Sequence, residues 1–286
     1  MQKSAVAAWG AAVLGLLGVA LAPASATEIA SPWVAGHNSK LRLLAGSMLR
    51  GGSTSQIVAG IEIKLSEDWK TYWRMPGDAG GVPPSFNWAG SANLAAAKVL
   101  YPAPRRLRDA TGESVGYKGG VVFPVQLTPK DPVQPIDLRL AVEYGICREI
   151  CVPVEARLSL LIPGESTAGT LPAAIAAALD AVPRAAGVRR QTDPELLRAI
   201  APVTGERPSL VFEAAFPGGT SGADLFVEVP DGPYVGLPKC VRSAGNVLRF
   251  ELDLANGTSP QELRGKRLLV TMVSDGGVSE TAWQAE

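Results

Sequence analysis

Residues 136–162 read IDLRLAVEYGICREICVPVEARLSLLI. Ile136 to Tyr144 alternates apolar and polar residues, and Val154 to Ile162 does so again. Period-2 alternation marks a half-buried strand, because successive side chains point to opposite faces of a sheet. Between the two runs lie Gly145, Cys147, Cys151 and Pro153. The segment predicts two strands with the cysteines at the tip of a hairpin-like connection. Ser55 to Leu65 (SQIVAGIEIKL, towards its end) and Gly119 to Leu127 (GGVVFPVQL) carry the same pattern. Pro124, inside the latter run, predicts an edge strand or a bulge. Several strands at this spacing predict a mainly β chain and a sandwich.

Composition agrees. Among 286 residues there are 31 Gly and 23 Pro, a density that breaks long helices and favours short strands joined by turns. Hydrophobic residues make up 47% and charged residues 19%, so the chain can bury a core. Lys and Arg number 27 against 27 Asp and Glu, with no basic cluster, which argues against nucleic acid as a partner. A single histidine, His37, argues against a His-based zinc site and a Ser-His-Asp triad. No phosphate-binding glycine motif is present.

Residues 1–26 read as a secretory signal peptide. Lys3 supplies the positive charge, Ala5 to Leu21 the apolar run, and Ala24-Ser25-Ala26 an A-x-A cleavage site. An uncleaved anchor is the competing reading, but the run is short and ends at Pro23. Cleavage and export are expected, into surroundings where disulfides persist; in a Gram-negative cell that is the periplasm.

After Gly164 the character changes. Leu171 to Val182 (LPAAIAAALDAV) predicts a helix with Pro172 in its first turn. Thr192-Asp193-Pro194-Glu195 predicts the start of a second short helix through Ile200. Strands are expected again from Ser209, and Asn256-Gly257 reads as a hairpin turn. The expected organisation is therefore a signal peptide (1–26), a β-sandwich domain (27–163), a helical connector (164–208) and a second, smaller β domain (209–286).

Two cysteines four residues apart cannot bridge along a straight strand, where their Cα atoms would stand about 13 Å apart, against a limit of about 7 Å for a disulfide. If they pair, Arg148-Glu149-Ile150 must form a tight turn or one helical turn. Such a short ring stabilises by only about 2 kcal/mol, which suits a bond that opens and closes. A structural clip, a redox pair and a metal site all remain open on spacing alone. Scarce His and Met weigh against the metal. Cys240 has no cysteine neighbour. It is expected as a buried small hydrophobe or an unpaired thiol, with a second disulfide partnership as the rival reading.

Further blocks narrow these alternatives. Asp68-Trp69-Lys70-Thr71-Tyr72-Trp73-Arg74-Met75-Pro76-Gly77-Asp78-Ala79-Gly80 is followed by Tyr101-Pro102-Ala103-Pro104 and by Val115-Gly116-Tyr117 ahead of Val122-Phe123-Pro124-Val125. Cys147, Cys151 and Pro153 complete the series. In order and spacing these blocks resemble the N-terminal periplasmic region of the DsbD/ScsB family of thiol:disulfide interchange proteins, the protein-disulfide reductases, over about Leu43 to Pro163. The remainder resembles the longer ScsB-like members more loosely.

The resemblance implies an immunoglobulin-like β sandwich. It implies that Cys147 and Cys151 are the catalytic pair, cycling between dithiol and disulfide without cofactor or metal. It implies a cap loop near Arg105 to Gly112. Its implied partners are a membrane-embedded thiol reductase (DsbD/CcdA-like) and periplasmic thioredoxin-like or disulfide isomerase proteins. Cytochrome c biogenesis and copper tolerance are the processes implied. No membrane-domain or C-x-x-C segment follows up to Glu286, so the reductase is expected on a separate chain. The rivals are a non-catalytic periplasmic binding or assembly module with a structural disulfide, and a copper-tolerance factor. Trp69, Tyr72 and Trp73 are expected as core packing, and Arg74 and Asp78 as ion-pair or turn-capping residues.

Overall fold

The computed structural model describes residues 28–50, 54–109, 112–164, 171–203, 208–255 and 258–285. The expected signal peptide and the Asn256-Gly257 turn lie outside them.

The chain is mainly β. Its first part is a sandwich of two six-stranded sheets. One sheet runs, edge to edge, through strands Ile29–Ala30, Ser39–Arg50, Thr54–Leu65, Gly120–Pro129 and Leu94–Val99, with Val34–Gly36 added beside Ser39–Arg50. The other runs through Cys151–Ile162, Ile136–Cys147, Lys70–Tyr72, Gly112–Lys118 and Arg105–Asp109, with Ser85–Asn87 beside Ile136–Cys147. The alternation seen in the sequence is the alternation of burial. Ile136, Leu138, Leu140, Val142 and Tyr144 point inward and meet Leu41, Leu43, Ile61, Ile63 and Phe123 of the opposite sheet. This is the immunoglobulin-like layering expected.

Alternation stops at Tyr144, after which Gly145, Ile146 and Cys147 are all buried. The strand there gains a second neighbour, Lys70–Tyr72, through the pairs Ile146–Thr71 and Cys147–Lys70. Its outer face is covered there as well.

Pro124 is not at an edge or a bulge: its strand is interior to the sheet and it pairs with Gly60. Its carbonyl accepts from Leu100 N at 2.7 Å, one residue past the end of strand Leu94–Val99. The N–H and C=O of a strand residue point to the same side. The missing donor of Pro124 therefore falls where the neighbouring strand has ended, and no ladder bond is lost.

The helix expected from Leu171 is present at Ala173–Asp180, with Pro172 at its N-cap. Its Ile175 packs on Leu44 and Val58 of the first sandwich. The second expected helix is absent. Glu195–Val203 is instead a strand paired with Ser209–Ala215. The carboxylate of Asp193, needed to cap that helix, accepts instead from Arg190 N, Val278 N and the Arg184 guanidinium. Among its described residues the range 164–208 thus carries one helix, one 3-10 turn at Ala186–Val188, and strands that join the second β region.

That region consists of two four-stranded sheets. Leu210, Phe212, Phe250, Leu268 and Val270 form its core. Phe226, Leu237, Val273 and Val278 instead join the apolar cluster of the first sandwich. Across the junction Arg106 donates to both carboxylate oxygens of Asp224 (2.8 Å each) and to the Pro238 carbonyl (2.7 Å).

Candidate functional site: a disulfide at a hairpin tip

Cys147 and Cys151 are joined by a disulfide, with Cα atoms 4.2 Å apart. They close the antiparallel ladder between Ile136–Cys147 and Cys151–Ile162 as directly opposed residues. Arg148, Glu149 and Ile150 make the turn, in which Arg148 N donates to Ile150 O (3.2 Å). The strand reverses, and this removes the distance problem of a straight segment.

Pro153 explains why the opposed pair is so close. It has no N–H, so Gly145–Pro153 is a pair that exchanges no backbone hydrogen bonds. Gly145 directs its N–H away from Pro153, to Val82 O (2.9 Å), and its carbonyl accepts from Thr71 Oγ1 (2.8 Å). Hydrogen-bonded and non-hydrogen-bonded pairs alternate along an antiparallel ladder. Two residues along, Cys147–Cys151 is therefore again of the close, non-hydrogen-bonded kind.

The two sulfurs differ in surroundings. Cys147 is fully buried, whereas Cys151 is exposed. Lys70 pairs with Cys147, so Lys70 and Tyr72 share the face of the sheet that carries both sulfurs. The Tyr72 hydroxyl lies 3.2 Å from Cys151 Sγ and is the donor, since a disulfide sulfur has no proton. Gly116 pairs with Tyr72 on one side, and Gly145 lies against its ring on the other. Burial, with a smaller contribution from the Asp109 charge, holds the Tyr72 phenol above its ordinary value. It therefore stays protonated at neutral pH, able to donate to sulfur.

Residues 49–163 match the family model of the N-terminal domain of the thiol:disulfide interchange protein DsbD. These residues form a DsbD N-terminal-like region. The N-terminal periplasmic domain of ScsB from Proteus mirabilis has the same fold. It is 20% identical, with a TM-score of 0.66 over 90% of this chain and 98% of that one. No curated protein sequence matches the chain.

In this DsbD-type domain, residues beyond the cysteines gather on the sulfur-bearing face. Lys70 is buried, and its ammonium donates to Asp109 Oδ2 (2.5 Å) and Ser114 Oγ (2.9 Å). The segment expected as a cap loop is, over Arg105–Asp109, a strand paired with Gly112–Lys118. Its Asp109 reaches the site through Lys70. Gly81 and Val82 lie closer, against the Tyr72 ring and Gly145. Arg148 stands 5.9 Å from the centre of the Trp69 ring, and His37 meets that ring edge-on at 5.4 Å. Ile150, at the tip, is 66% exposed.

Trp69 and Trp73 are buried, as core packing requires. Tyr72 is buried too, but its hydroxyl serves the sulfur, a role the sequence reading did not assign. The available signal was strand register: Lys70 and Tyr72 sit two apart in a short strand beside the cysteine hairpin. Cys240 is exposed and unpaired, not buried, on the edge strand Lys239–Ala244 of the second β region. Among the described residues no helix is long and apolar enough to cross a membrane.

Proposed function

We propose that the chain is a periplasmic thiol–disulfide exchange protein, relaying electrons through Cys147 and Cys151. The observation that carries this reading is the asymmetry of the pair. One sulfur is open to a visiting protein beside a protonated phenol, and its partner is shielded directly behind it.

The chemistry balances without a cofactor. A thiolate of the reducing partner attacks Cys151 Sγ, the Cys147–Cys151 bond breaks, and Cys147 leaves as a thiolate that takes a proton from water. The partner's second thiolate then displaces Cys151. The partner leaves as a disulfide, having passed on two electrons. In the onward step the Cys151 thiolate, facing the Tyr72 hydroxyl, attacks a target disulfide. Cys147 resolves the mixed disulfide and restores the starting bond.

The electron donor that fits is a membrane-embedded thiol reductase on a separate chain, and the acceptors are thioredoxin-like or disulfide isomerase proteins. The leader-like residues 1–26 and the family match support the periplasmic setting.

Trapping tests this reading. Cys147→Ser should accumulate a mixed disulfide through Cys151 with an oxidised thioredoxin-fold probe, visible on a non-reducing gel, and Cys151→Ser should not. Equal trapping by both variants, or by neither, defeats the proposal. Failure by both leaves a structural clip.

A further inference from the structure

Residues 73–82 form a strap. It leaves the sulfur-bearing face at Tyr72, crosses to the C-terminal sandwich and returns to Gly145. Backbone bonds tie it to the first sandwich: Trp73 N to Val115 O, Val115 N to Pro76 O and Ala79 N to Glu113 O, at 2.8–3.0 Å. Its side chains reach the other way. The Trp73 ring packs on Phe226 with centroids 5.8 Å apart. The Arg74 guanidinium lies over that ring (4.4 Å) and donates through Nε and a terminal nitrogen to Glu228, at 2.6–2.9 Å. It also donates to Glu280, which accepts from Thr271 Oγ1 (2.9 Å). Asp78 accepts from the Tyr234 hydroxyl.

On its return the strap roofs the redox face. Gly81 has φ +144°, and a Cβ there would overlap the Tyr72 ring, so the backbone itself rests on the phenol. Val82 O then accepts from Gly145 N, two residues before Cys147. One ten-residue segment therefore touches Tyr72 and Gly145 with one end and is gripped by the C-terminal sandwich through its middle.

We propose that Glu228 and Tyr234 of the C-terminal sandwich are positioning residues for the redox pair. By holding Arg74 and Asp78 they fix the strap that keeps the Tyr72 hydroxyl on Cys151. This inference rests on the exchange reading and gives the second sandwich a part in it. A hydrogen bond weakens steeply with misalignment, so a small movement of the roof is felt at the sulfur. The Tyr234–Asp78 contact lies within the Gly77–Gly80 turn, which leads directly to Gly81 on the phenol.

The test uses the full chain carrying Cys147→Ser and Cys240→Ser, so that Cys151 is the only thiol, and follows its alkylation by iodoacetamide against pH. Tyr234→Phe and Glu228→Gln should each slow alkylation at pH 7 by about threefold to tenfold, part or all of the effect of one lost charge-assisted hydrogen bond. Each should move the rate profile to higher pH at a temperature where circular dichroism shows the variant still folded. In a Tyr72→Phe background the same substitutions should change nothing further, because their effect passes through the phenol. Unchanged profiles in both variants overturn the proposal. So does an effect that persists without Tyr72. Trapping by Cys147→Ser alone reports separately on the exchange reading: if trapping succeeds and the profiles do not move, only the positioning role falls.

Discussion

The Tyr72 hydroxyl and the Cys151 sulfur stand 3.2 Å apart, although 79 residues separate them along the chain. Gly81 and Gly145 lie against the ring, and the absence of a Cβ at each leaves it room to lie across the sheet. In the oxidised protein this bond is weak, since a disulfide sulfur is a poor acceptor. After reduction the same hydroxyl faces a thiolate, and the bond becomes charge-assisted.

Tyr72→Phe should therefore spare the fold and impair the chemistry. A hydrogen bond to a charged group contributes about 1.5–3 kcal/mol, so alkylation of reduced Cys151 at pH 7 should slow by about tenfold or more. Stopped-flow or mass-spectrometric alkylation kinetics measure this directly. A rate equal to that of the parent means the phenol has no part in activating the sulfur.

Reduction of the disulfide should leave both sandwiches folded. A five-residue ring contributes about 2 kcal/mol. At about 2–4 °C per kcal/mol for a protein of this size, the unfolding midpoint should fall by about 4–8 °C in reductant. Thermal scans by circular dichroism with and without dithiothreitol check the figure. Collapse of the β signal on reduction would instead mark a structural clip.

Arg74 holds two carboxylates at the junction of the sandwiches. The side chains of Glu228 and Glu280 are only 15% and 25% exposed. Arg74→Leu leaves them side by side without their cation, at a cost of about 3 kcal/mol. Urea unfolding at pH 7 measures the cost, and a midpoint equal to that of the parent refutes it.

Asp193 should contribute to acid sensitivity. Its side chain is fully buried. Burial opposes its charge, but hydrogen bonds from Arg184, Arg190 N and Val278 N prevail and hold its pKa below the ordinary aspartate value. A carboxyl with a depressed folded-state pKa stabilises fully above its unfolded value of about 4, and that contribution is lost as pH falls through the folded value. Asp193→Asn should cost about 3 kcal/mol at pH 7, because it breaks a buried ion pair. It should also flatten the loss of stability between pH 5 and pH 3. Urea midpoints across that range measure the slope, and parallel slopes for parent and variant refute the assignment.

Local pattern identified much of the fold. Ile136–Tyr144 and Val154–Ile162 declare one buried face each, and a sheet converts that directly into burial. Residues 192–200 misled because a lone Asp-Pro start is a weak helix signal. Arg184 and the ladder with Ser209–Ala215 compete for the same residues and win. The blocks at 68–80 were recognisable as a family pattern, but their division of labour was not. Trp73 and Arg74 face the second sandwich while Tyr72 faces the sulfur, a split set by strand register and by a partner strand about 150 residues away.

The amino-acid order alone was enough to bring Cys147 and Cys151 to a chain reversal, because alternation, a three-residue gap and Pro153 are all local properties. Which sulfur stays exposed, which hydroxyl meets it and what braces that hydroxyl emerged only in three dimensions. Exposure and side-chain contact depend on how distant strands register and on which segment covers them, and neither is written into any short stretch of the chain.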